Sequence, residues 1–595
     1  MNNIIQIEDL SKIYTNDEGH KFEIYDHFNL SIDANYHMIC LTGADGSGKS
    51  TLLKILSGVL GFNRGKVLLN GLIPNQDDEK FSSLVGYMSQ TLGLYEELSV
   101  FDNLKILSAL RGLSVKDNLP YLDNLLKKTG LLEFKDYKAG ELSGGMKQKL
   151  ALCCTIAPKP HILILDEPTV GVDPLSRMQL WQIILDYLKE ENGYCIFSTA
   201  YLEESNFCNC TLMIEKGKLL MQGANDKLLE QIDNLCYSLE IKDRPINQCL
   251  KEIIEFNQDD DNLIIDICPR LGLIDLLVKP QFKQEEVFKY LACKLKECKL
   301  IDNDKQLKLT PRKGILEDLY IYKSYCLKSD HKHHQYDHLL EDNTSHTDVS
   351  EDVIVVKDIQ KKFGKFTAVQ KSSFKVQQGK IFGLLGPNGA GKTTTFRMIC
   401  ALTAPTKGQI TINGFNLSKS KHDARGSIGY VSQKFSLYKK LSVEQNLEYF
   451  GLCYGLSGSK LKDRIEVLLD EFSLRDLKNE NSELLPFGVQ RQLSMACALI
   501  HQPKILFLDE ATSGADPLAR RNFWYLINKL TKTGTSVIVT THFMEEAEYC
   551  DEFLIQDKGK ILVLGAPNDI CMKNGVRISI EEKFIELIQS SRQEG

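Results

Sequence analysis

Two glycine-rich segments of this sequence could each bind the phosphates of a nucleotide. Both have the pattern GxxxxGK[ST], and both follow a short apolar run that predicts a β-strand. In such a loop the glycines let consecutive backbone N–H groups surround phosphate oxygens, and the positive end of the next helix points at the same anion. The residues assigned to phosphate binding are Gly43, Gly46, Gly48, Lys49, Ser50 and Thr51 in the first segment, and Gly386, Gly389, Gly391, Lys392, Thr393 and Thr394 in the second.

Within each loop the lysine and the hydroxyl residue have different expected roles. Lys49 and Lys392 would reach the β- and γ-phosphates, whereas Ser50 and Thr393 would bind Mg²⁺. One such loop alone could be a glycine-rich turn beside a solvated lysine. Because two copies occur in matched surroundings, we reject the interpretation as simple glycine-rich turns.

The sequence around these two loops is also repeated. Lys49 and Lys392 are 343 positions apart (392 − 49 = 343), with no net insertion between the landmarks that share this offset. The chain is therefore an internal duplication of a unit of about 220 residues, the size of one α/β domain. Further pairs with the same offset are Gln90 and Gln433, Asp166 and Asp509, and Asp173 and Asp516.

Each copy also has an apolar strand that ends in two acidic residues. The first carboxylate, beside a phosphate loop, is placed to hold the Mg²⁺ shell, and the second can polarise an attacking water. We therefore assign Glu167 and Glu510 to water activation, with a glutamine of each copy reaching the same ion and water. The residues assigned to Mg²⁺ are Ser50, Thr393, Gln90, Gln433, Asp166 and Asp509.

The order of these motifs resembles the ATP-binding cassette family. The first copy has a phosphate loop, a glutamine, the word LSGGMKQ at Leu142–Gln148, the acidic strand and a GVDP turn. The second copy adds a Thr-His pair at Thr541 and His542. The resemblance covers both copies, roughly three quarters of the chain, and the LSGG word makes it highly specific.

The resemblance implies how the two cassettes would work together. They would dock head to tail and enclose two ATP molecules, each held by the phosphate loop of one cassette and the signature of the other. Ser143, Gly144 and Gly145 are therefore assigned to nucleotide binding, as are Tyr14 and Phe363. The resemblance also implies two separate integral membrane permease subunits, which would hold the chain at the cytoplasmic face of the membrane.

The predicted fold class is α/β, with two P-loop cassettes in tandem that each carry a helical insertion. The expected division is a first cassette at 1–225, a small α/β accessory domain at 226–330, a polar linker at 331–352 and a second cassette at 353–595. Five of the twelve histidines lie in that linker. Their spacing could hold a transition metal, but no cysteine or paired carboxylate completes a site, so we interpret the segment as a solvated connector.

The two cassettes differ at two motif positions. Pro486 and Phe487 of the second cassette stand where the first has Ser143 and Gly144, which removes a hydroxyl and an N–H and adds bulk near the γ-phosphate. Ala200 stands in the first cassette where the second has His542. If the cassettes pair head to tail, the changes at Pro486 and Phe487 and the change at Ala200 fall in the same nucleotide site, the one around the first phosphate loop. The other nucleotide site, which contains Lys392, Glu510 and His542, would keep all its motif residues.

Composition and motifs narrow the function class. The net charge of −7 gives no general attraction to nucleic acid, and no apolar stretch approaches the ~20 residues of a membrane span. The leading hypothesis is a transport ATPase. The alternative is a tandem-cassette factor acting on ribosomes, but residues 226–352 carry 18 Lys and Arg against 26 Asp and Glu, which would repel RNA. DNA-repair or condensin-type ATPases would need coiled coils or zinc clusters, which the sequence lacks.

The direction of transport has a weaker basis in the sequence. The segment Pro311–Tyr320 resembles the ending found after cassettes of bacterial drug and lipid exporters, so we expect export of a drug or other amphipathic substrate. The substrate itself would bind to the permeases and cannot be predicted from this chain.

Overall fold

The computed structural model describes residues 3–15, 21–75, 77–257, 263–327, 351–433 and 436–593, without the side chains of Asp423 and Phe487. The chain divides into two compact units. The first comprises Met1–Asp233, Gly314–Lys323 and Gly514–Pro517, and the second comprises Asn234–Lys313, Ser324–Ser513 and Leu518–Gly595. The five histidines of the predicted linker lie outside the described residues.

Before residue 234, the described residues of the first unit form nine strands, seven α-helices and five 3₁₀ helices. The strands are β1 (Asn3–Thr15), β2 (Lys21–Asp33), β3 (Met38–Thr42), β4 (Arg64–Leu69), β5 (Val85–Met88), β6 (Ile162–Asp166), β7 (Tyr194–Ser198), β8 (Cys210–Glu215) and β9 (Lys218–Gly223). The α-helices are α1 (Lys49–Leu56), α2 (Glu79–Leu84), α3 (Val100–Leu110), α4 (Leu119–Lys128), α5 (Gly144–Ile156), α6 (Pro174–Glu191) and α7 (Asn225–Leu229). Short 3₁₀ helices span Lys116–Asn118, Leu132–Phe134, Ala139–Glu141, Leu202–Phe207 and Glu230–Ile232.

The strands of this unit form two sheets. One has the order β2-β1-β4 and is antiparallel. The other has the order β5-β6-β7-β3-β8-β9 and is parallel except for the β8–β9 pair. Every residue of β3 and β6 is buried, as expected for parallel strands covered on both faces. Because β3 and β6 both pair in parallel with β7, their carboxyl ends meet at one edge, where open α/β sheets bind ligands.

The second unit begins with a four-stranded antiparallel domain, residues 234–313. Its strands and helices are β10 (Cys236–Ile241), α8 (Ile246–Phe256), β11 (Ile264–Arg270), β12 (Leu273–Val278), α9 (Gln284–Glu297), a 3₁₀ turn (Asp304–Gln306) and β13 (Leu307–Pro311). The sheet order β11-β12-β10-β13 and the β-α-β-β-α-β succession are those of a ferredoxin-like fold. Helix α10 (Leu316–Leu327) follows in the chain, and its residues up to Lys323 belong to the first unit.

The rest of the second unit repeats the architecture of the first cassette. Its strands are β14 (Asp352–Phe363), β15 (Phe366–Gln377), β16 (Ile381–Leu385), β17 (Lys407–Ile412), β18 (Phe415–Asn416), β19 (Ile428–Val431), β20 (Ile505–Asp509), β21 (Ser536–Thr540), β22 (Glu552–Asp557), β23 (Lys560–Gly565), β24 (Met572–Lys573) and β25 (Val576–Arg577). Its α-helices are α11 (Lys392–Ile399), α12 (Lys421–Gly426), α13 (Val443–Cys453), α14 (Gly458–Glu471), α15 (Phe487–Leu499), α16 (Pro517–Lys532), α17 (Pro567–Ile570) and α18 (Ile580–Gln593), with 3₁₀ helices at Arg475–Leu477 and Met544–Tyr549.

The main sheet of this cassette has the order β19-β20-β21-β16-β22-β23, which matches the first cassette strand for strand. Its apolar core is continuous with that of the four-stranded domain. Leu250 and Ile253 of α8 belong to the same buried cluster as Trp524 and Ile527 of α16. The four-stranded domain and the second cassette therefore share one core within the second unit.

Candidate active sites

Each phosphate loop joins a buried strand to a helix through a backbone that only glycine adopts easily. Gly48 and Gly391 have φ of 109° and 101° and directly precede α1 and α11. A Cβ on Gly43 would lie 1.9 Å from the carbonyl oxygen of Ile214, and one on Gly386 would lie 2.2 Å from that of Gln556. The loops are thus packed against the neighbouring strand on one side.

The other side of each loop is open. A Cβ added to Gly46 or Gly389 would meet no atom within 4 Å. The loop lysines are buried and close the loop from within, since Lys49 Nζ donates to the carbonyl oxygens of Gly43 (2.9 Å) and Ala44 (3.0 Å). Lys392 donates likewise to Gly386 and Pro387. This arrangement fits phosphate binding, with a positive charge under an open set of N–H donors.

An acidic residue ends the strand beside each loop, as predicted. In the first cassette Ser50 Oγ donates to Asp166 Oδ1 at 2.9 Å, and Ser198 Oγ donates to the same oxygen at 2.7 Å. In the second, Thr540 Oγ1 donates to Asp509 Oδ1 at 2.7 Å. Hydroxyl and carboxylate oxygens are the ligands that Mg²⁺ prefers, so the residues present fit this ion.

The second acidic residue of each pair has a strained backbone that turns its side chain into the site. Glu167 and Glu510 have φ of 50° and 49°, in the left-handed region that non-glycine residues seldom adopt. The backbone N–H of Glu167 donates to Ser198 Oγ, and that of Glu510 donates to Thr540 Oγ1, both at 3.0 Å. The hydroxyl at the end of the neighbouring strand therefore fixes both acidic residues at once.

The predicted glutamines reach these glutamates rather than the aspartates. Gln90 Nε2 donates to Glu167 Oε2 at 2.7 Å, and Gln433 Nε2 donates to Glu510 Oε2. Both glutamines follow the short parallel strands β5 and β19. A glutamine amide that holds one oxygen of the carboxylate leaves the other oxygen for a further partner.

That further partner exists in the second cassette. His542 Nε2 donates to Glu510 Oε1 at 2.7 Å, and both side chains are buried. Burial favours a raised pKa of Glu510, but the hydrogen bond and charge of His542, together with Lys392, outweigh it and hold the pKa below its ordinary value. In the first cassette Ala200 takes the position of His542, and burial raises the pKa of Glu167 despite Lys49.

The signature segments begin the equivalent helices α5 and α15. Ser143 is the N-cap of α5, and its Oγ accepts a hydrogen bond from the N–H of Met146. Gly145 lies against α6, where an added Cβ would come within 3.2 Å of Ser176. Pro486 is the N-cap of α15 and makes no side-chain cap hydrogen bond. The difference in sequence is therefore also a difference in local structure.

The two aromatic residues assigned to the nucleotide lie on the antiparallel sheets. Tyr14 is 37% exposed, and its hydroxyl is 3.5 Å from Thr51 Oγ1 in the phosphate loop. Phe363 is 54% exposed, with Lys361 Nζ 5.2 Å from its ring centre. Both rings are exposed, and each has a lysine ammonium over it, since Lys12 Nζ lies 5.1 Å from the centre of the Tyr14 ring.

We call the Thr-Ala pair of the first cassette (Thr199 and Ala200) and the Thr-His pair of the second (Thr541 and His542) the switches. Sequence reasoning missed a buried glutamate that follows each switch. Glu546 accepts hydrogen bonds from Thr512 (2.9 Å) and Thr541 (2.5 Å), so it connects the chain just after Glu510 with the residue before His542. Glu204 accepts from the equivalent Thr169 and Thr199, both at 2.6 Å. The recurrence of a Glu-Glu pair after both switches was the available signal.

Neither a membrane-spanning helix nor a cluster of metal-ligating side chains occurs in the described residues. Within those ranges, no helix is both long and apolar enough to cross a bilayer. The same residues contain no group of three or more His, Cys, Asp and Glu side chains arranged to bind a metal.

Comparisons with known proteins match both cassettes. A model of the family described as ABC transporter matches residues 25–170 and 369–513. YbhF of Escherichia coli K12, described as a probable multidrug ABC transporter ATP-binding protein, is 37% identical over 565 residues, which cover 94% of each chain. The linearmycin resistance ATP-binding protein LnrL of Bacillus subtilis 168 is 37% identical over 40% of this chain and 79% of its own. A solved ATP-binding subunit of an ABC transporter is 30% identical over 40% of this chain and 99% of its own, with a TM-score of 0.38.

Proposed function

Because this chain belongs to the ABC transporter family of ATPases, we propose that it is the ATP-hydrolysing subunit of an exporter and drives two separate permease subunits. Membership of the family confirms the predicted fold class, with two P-loop cassettes in tandem, and the prediction of ATP binding and hydrolysis. The names of the relatives support export, since they refer to multidrug transport, linearmycin resistance and Nod factor export. We propose a drug or other amphipathic compound as the substrate.

The hydrogen bond between His542 and Glu510 is the observation that carries the proposal for hydrolysis. A carboxylate kept ionised beside a phosphate loop can accept a proton from an attacking water. Gln433 holds the other oxygen of Glu510, so the carboxylate is oriented before the nucleotide arrives. We therefore propose that the second cassette carries the hydrolytic site, completed by the signature at Ser143, Gly144 and Gly145.

The first cassette is proposed to bind ATP without hydrolysing it efficiently. Lys49 makes the same loop contacts as Lys392, and Ser50 donates to Asp166, but the raised pKa of Glu167 disfavours the ionised base. Ala200 supplies no donor for Glu167 or for a γ-phosphate. Ser50 and Asp166 in the first cassette, and Thr393 and Asp509 in the second, would hold Mg²⁺, which would supply positive charge to stabilise the phosphates.

The proposed permease contacts are on the helical insertions. Tyr95 and Tyr438 are each 49% exposed, and each lies in the loop before an insertion helix, α3 or α13. A buried asparagine, Asn103 or Asn446, donates to the backbone oxygen of each tyrosine and fixes the loop. Exposed aromatic groups on a rigid loop suit a protein partner. The permeases would then hold the chain at the cytoplasmic face of the membrane.

The experiment that tests the hydrolytic assignment compares two matched substitutions in the purified full-length chain. Glu510→Gln should lower the rate of ATP hydrolysis at least about 100-fold while ATP still binds, because the general base is lost. Glu167→Gln should lower the rate less than about twofold, because Glu167 contributes little to turnover. Equal losses from the two substitutions would refute the proposal. Nucleotide affinity, measured by titration of each variant, controls for misfolding.

A further inference from the structure

The four-stranded domain contacts the second cassette through a buried charged residue that the hydrolysis mechanism does not use. Asp266 on β11 lies 3.1 Å from Arg521 Nε and accepts a hydrogen bond from the Tyr525 hydroxyl at 2.8 Å. The backbone N–H of Ile267 donates to the same hydroxyl at 2.9 Å. Asp266 and Arg521 are both buried, and a buried charge is stable only with such partners. This contact joins β11 to helix α16.

A second contact reaches the 3₁₀ helix Met544–Tyr549, which we call the switch segment because it follows His542. Glu548 accepts hydrogen bonds from the backbone N–H groups of Leu271 and Gly272, in the turn between β11 and β12. It also forms an ion pair with Arg577 at 2.5 Å. Gly272 has φ of 75°, and an added Cβ would lie 2.8 Å from the Arg577 side chain. The turn therefore approaches the switch segment very closely.

A third contact comes from helix α8, just beyond the switch segment. Asn247 Nδ2 donates to the carbonyl oxygen of Cys550 at 2.7 Å, and Lys251 Nζ lies 3.8 Å from Asp551. Asp551 in turn accepts a hydrogen bond from the N–H of Ile381, the first residue of the strand that leads into the phosphate loop. The four-stranded domain thus contacts the C-terminal end of the switch segment and the chain just beyond it.

The inner side of the switch segment faces the hydrolysis site. Tyr549 accepts a hydrogen bond from Arg521 Nη1 at 2.7 Å and stacks on Trp524, so the segment is also held by α16. Glu546 binds Thr512 and Thr541, as described above. One short segment therefore has the four-stranded domain on its outer side and the residues next to Glu510 and His542 on its inner side.

In the described part of the first cassette the inner contacts recur, whereas the residues equivalent to those of the outer contacts differ. Glu204 preserves the hydrogen bonds to both threonines. The residues equivalent to Arg521, Tyr525, Glu548 and Tyr549 are Met178, Gln182, Asn206 and Phe207. These side chains carry no charge, and Met178 and Phe207 are 47% and 41% exposed. Among the described residues, these charged contacts are therefore made in the cassette that has His542.

We propose that the four-stranded domain positions His542 for hydrolysis in the second cassette, with Asp266 and Glu548 as positioning residues. The proposal rests on the proposed function of that cassette as the hydrolytic one. A 3₁₀ segment fixed on both sides has few alternative conformations, so the imidazole is kept within hydrogen-bond distance of Glu510 before ATP binds. Loosening the outer contacts should lower the fraction of molecules in which His542 and Glu510 are correctly placed.

The first test uses near-isosteric variants of the full-length chain, Asp266→Asn and Glu548→Gln. Each should lower kcat for ATP hydrolysis about threefold to tenfold, because each removes one contact of the switch segment. The dissociation constant for ATP should stay unchanged, since neither residue lies at the phosphate loop. Glu240→Gln is the matched control, because Glu240 is on the same domain and only pairs with the exposed Lys308. An unchanged kcat in both variants would overturn the proposal.

The second test separates positioning from general destabilisation. Single-turnover hydrolysis, which detects slow residual rates, is compared for His542→Ala alone and for His542→Ala with Asp266→Asn. If Asp266 acts through His542, the double variant should be no slower than His542→Ala. If Asp266→Asn lowers the hydrolysis rate by the same factor in the His542→Ala chain as in the unmodified chain, the proposal is refuted, because the effect would then not act through the histidine. Failure of Glu510→Gln to stop hydrolysis would instead reject the proposed function of the cassette.

Discussion

His542 Nε2 lies 2.7 Å from Glu510 Oε1, and this one hydrogen bond separates the two cassettes chemically. Glu167 follows the equivalent strand, has the same left-handed backbone and accepts a hydrogen bond from the equivalent glutamine. Position 200 is an alanine, so the second carboxylate oxygen of Glu167 has no imidazole beside it. The pKa of Glu510 is consequently lowered, whereas burial raises that of Glu167.

We predict that His542→Ala moves the acid limb of the pH–rate profile to higher pH. Glu510 can accept a proton only when ionised, so a low pKa keeps the site active as the pH falls. Without the imidazole, burial raises the pKa of Glu510, and activity is lost at a higher pH. The measurement is kcat/KM for ATP against pH. His501→Gln is the control, since His501 is a partly buried histidine of the same cassette. An unmoved acid limb in His542→Ala would contradict the prediction.

We predict that the first site can be repaired. Ala200→His should bring an imidazole to Glu167 and lower its pKa, as His542 does for Glu510. Combined with Pro486→Ser and Phe487→Gly, it should restore hydrolysis in a chain that carries Glu510→Gln. The rate of phosphate release measures the effect, with Glu510→Gln alone as the control. No gain in the combined variant would show that the first site lacks something beyond these residues.

We predict that the first cassette retains nucleotide between turnovers. Lys49 contacts Gly43 as Lys392 contacts Gly386, and Ser50 lies beside Asp166, so we expect binding to survive where chemistry is weak. Labelled nucleotide that remains on the chain during turnover should dissociate slowly from one site. Lys49→Ala should abolish that slow fraction and slow the cycle. Fast exchange at both sites of the unmodified chain would exclude this behaviour.

We predict that charge reversal beside Tyr438 releases the chain from membranes without weakening ATP binding. Lys440→Glu places a negative charge next to an exposed aromatic loop that we assign to a permease. Sedimentation with membrane vesicles that contain the partners measures the loss. Lys308→Glu, at an exposed position of the four-stranded domain, is the control. Sedimentation of the unmodified chain with ribosomes and not with membranes would contradict the assignment.

Much of each site could be predicted because its parts are contiguous in sequence. The glycines, lysine and hydroxyl of a phosphate loop are neighbours, and parallel strands bring the acidic strand end to the same edge of the sheet. The absence of a histidine from the first cassette was also visible, since Ala200 follows Ser198-Thr199 where His542 follows Thr540-Thr541. The fold class followed from the duplication and the apolar strands.

Other relationships are set by packing between distant residues. The contacts of Glu546 with Thr512, and of Asp266 with Arg521, join positions 34 and 255 residues apart, and no local pattern predicts them. The acidity of Glu510 likewise depends on the balance between burial and nearby charges, which exists only in the folded chain.

The sequence by itself determined the ligand class, the duplication and the motif positions at which the two cassettes differ, because these depend on residue types at fixed spacings. Only the tertiary structure decided that the four-stranded domain shares a core with the second cassette and contacts its switch segment. The physical reason is that a buried ion pair needs two complementary surfaces. Asp266 and Arg521 belong to different domains, and only folding brings them together.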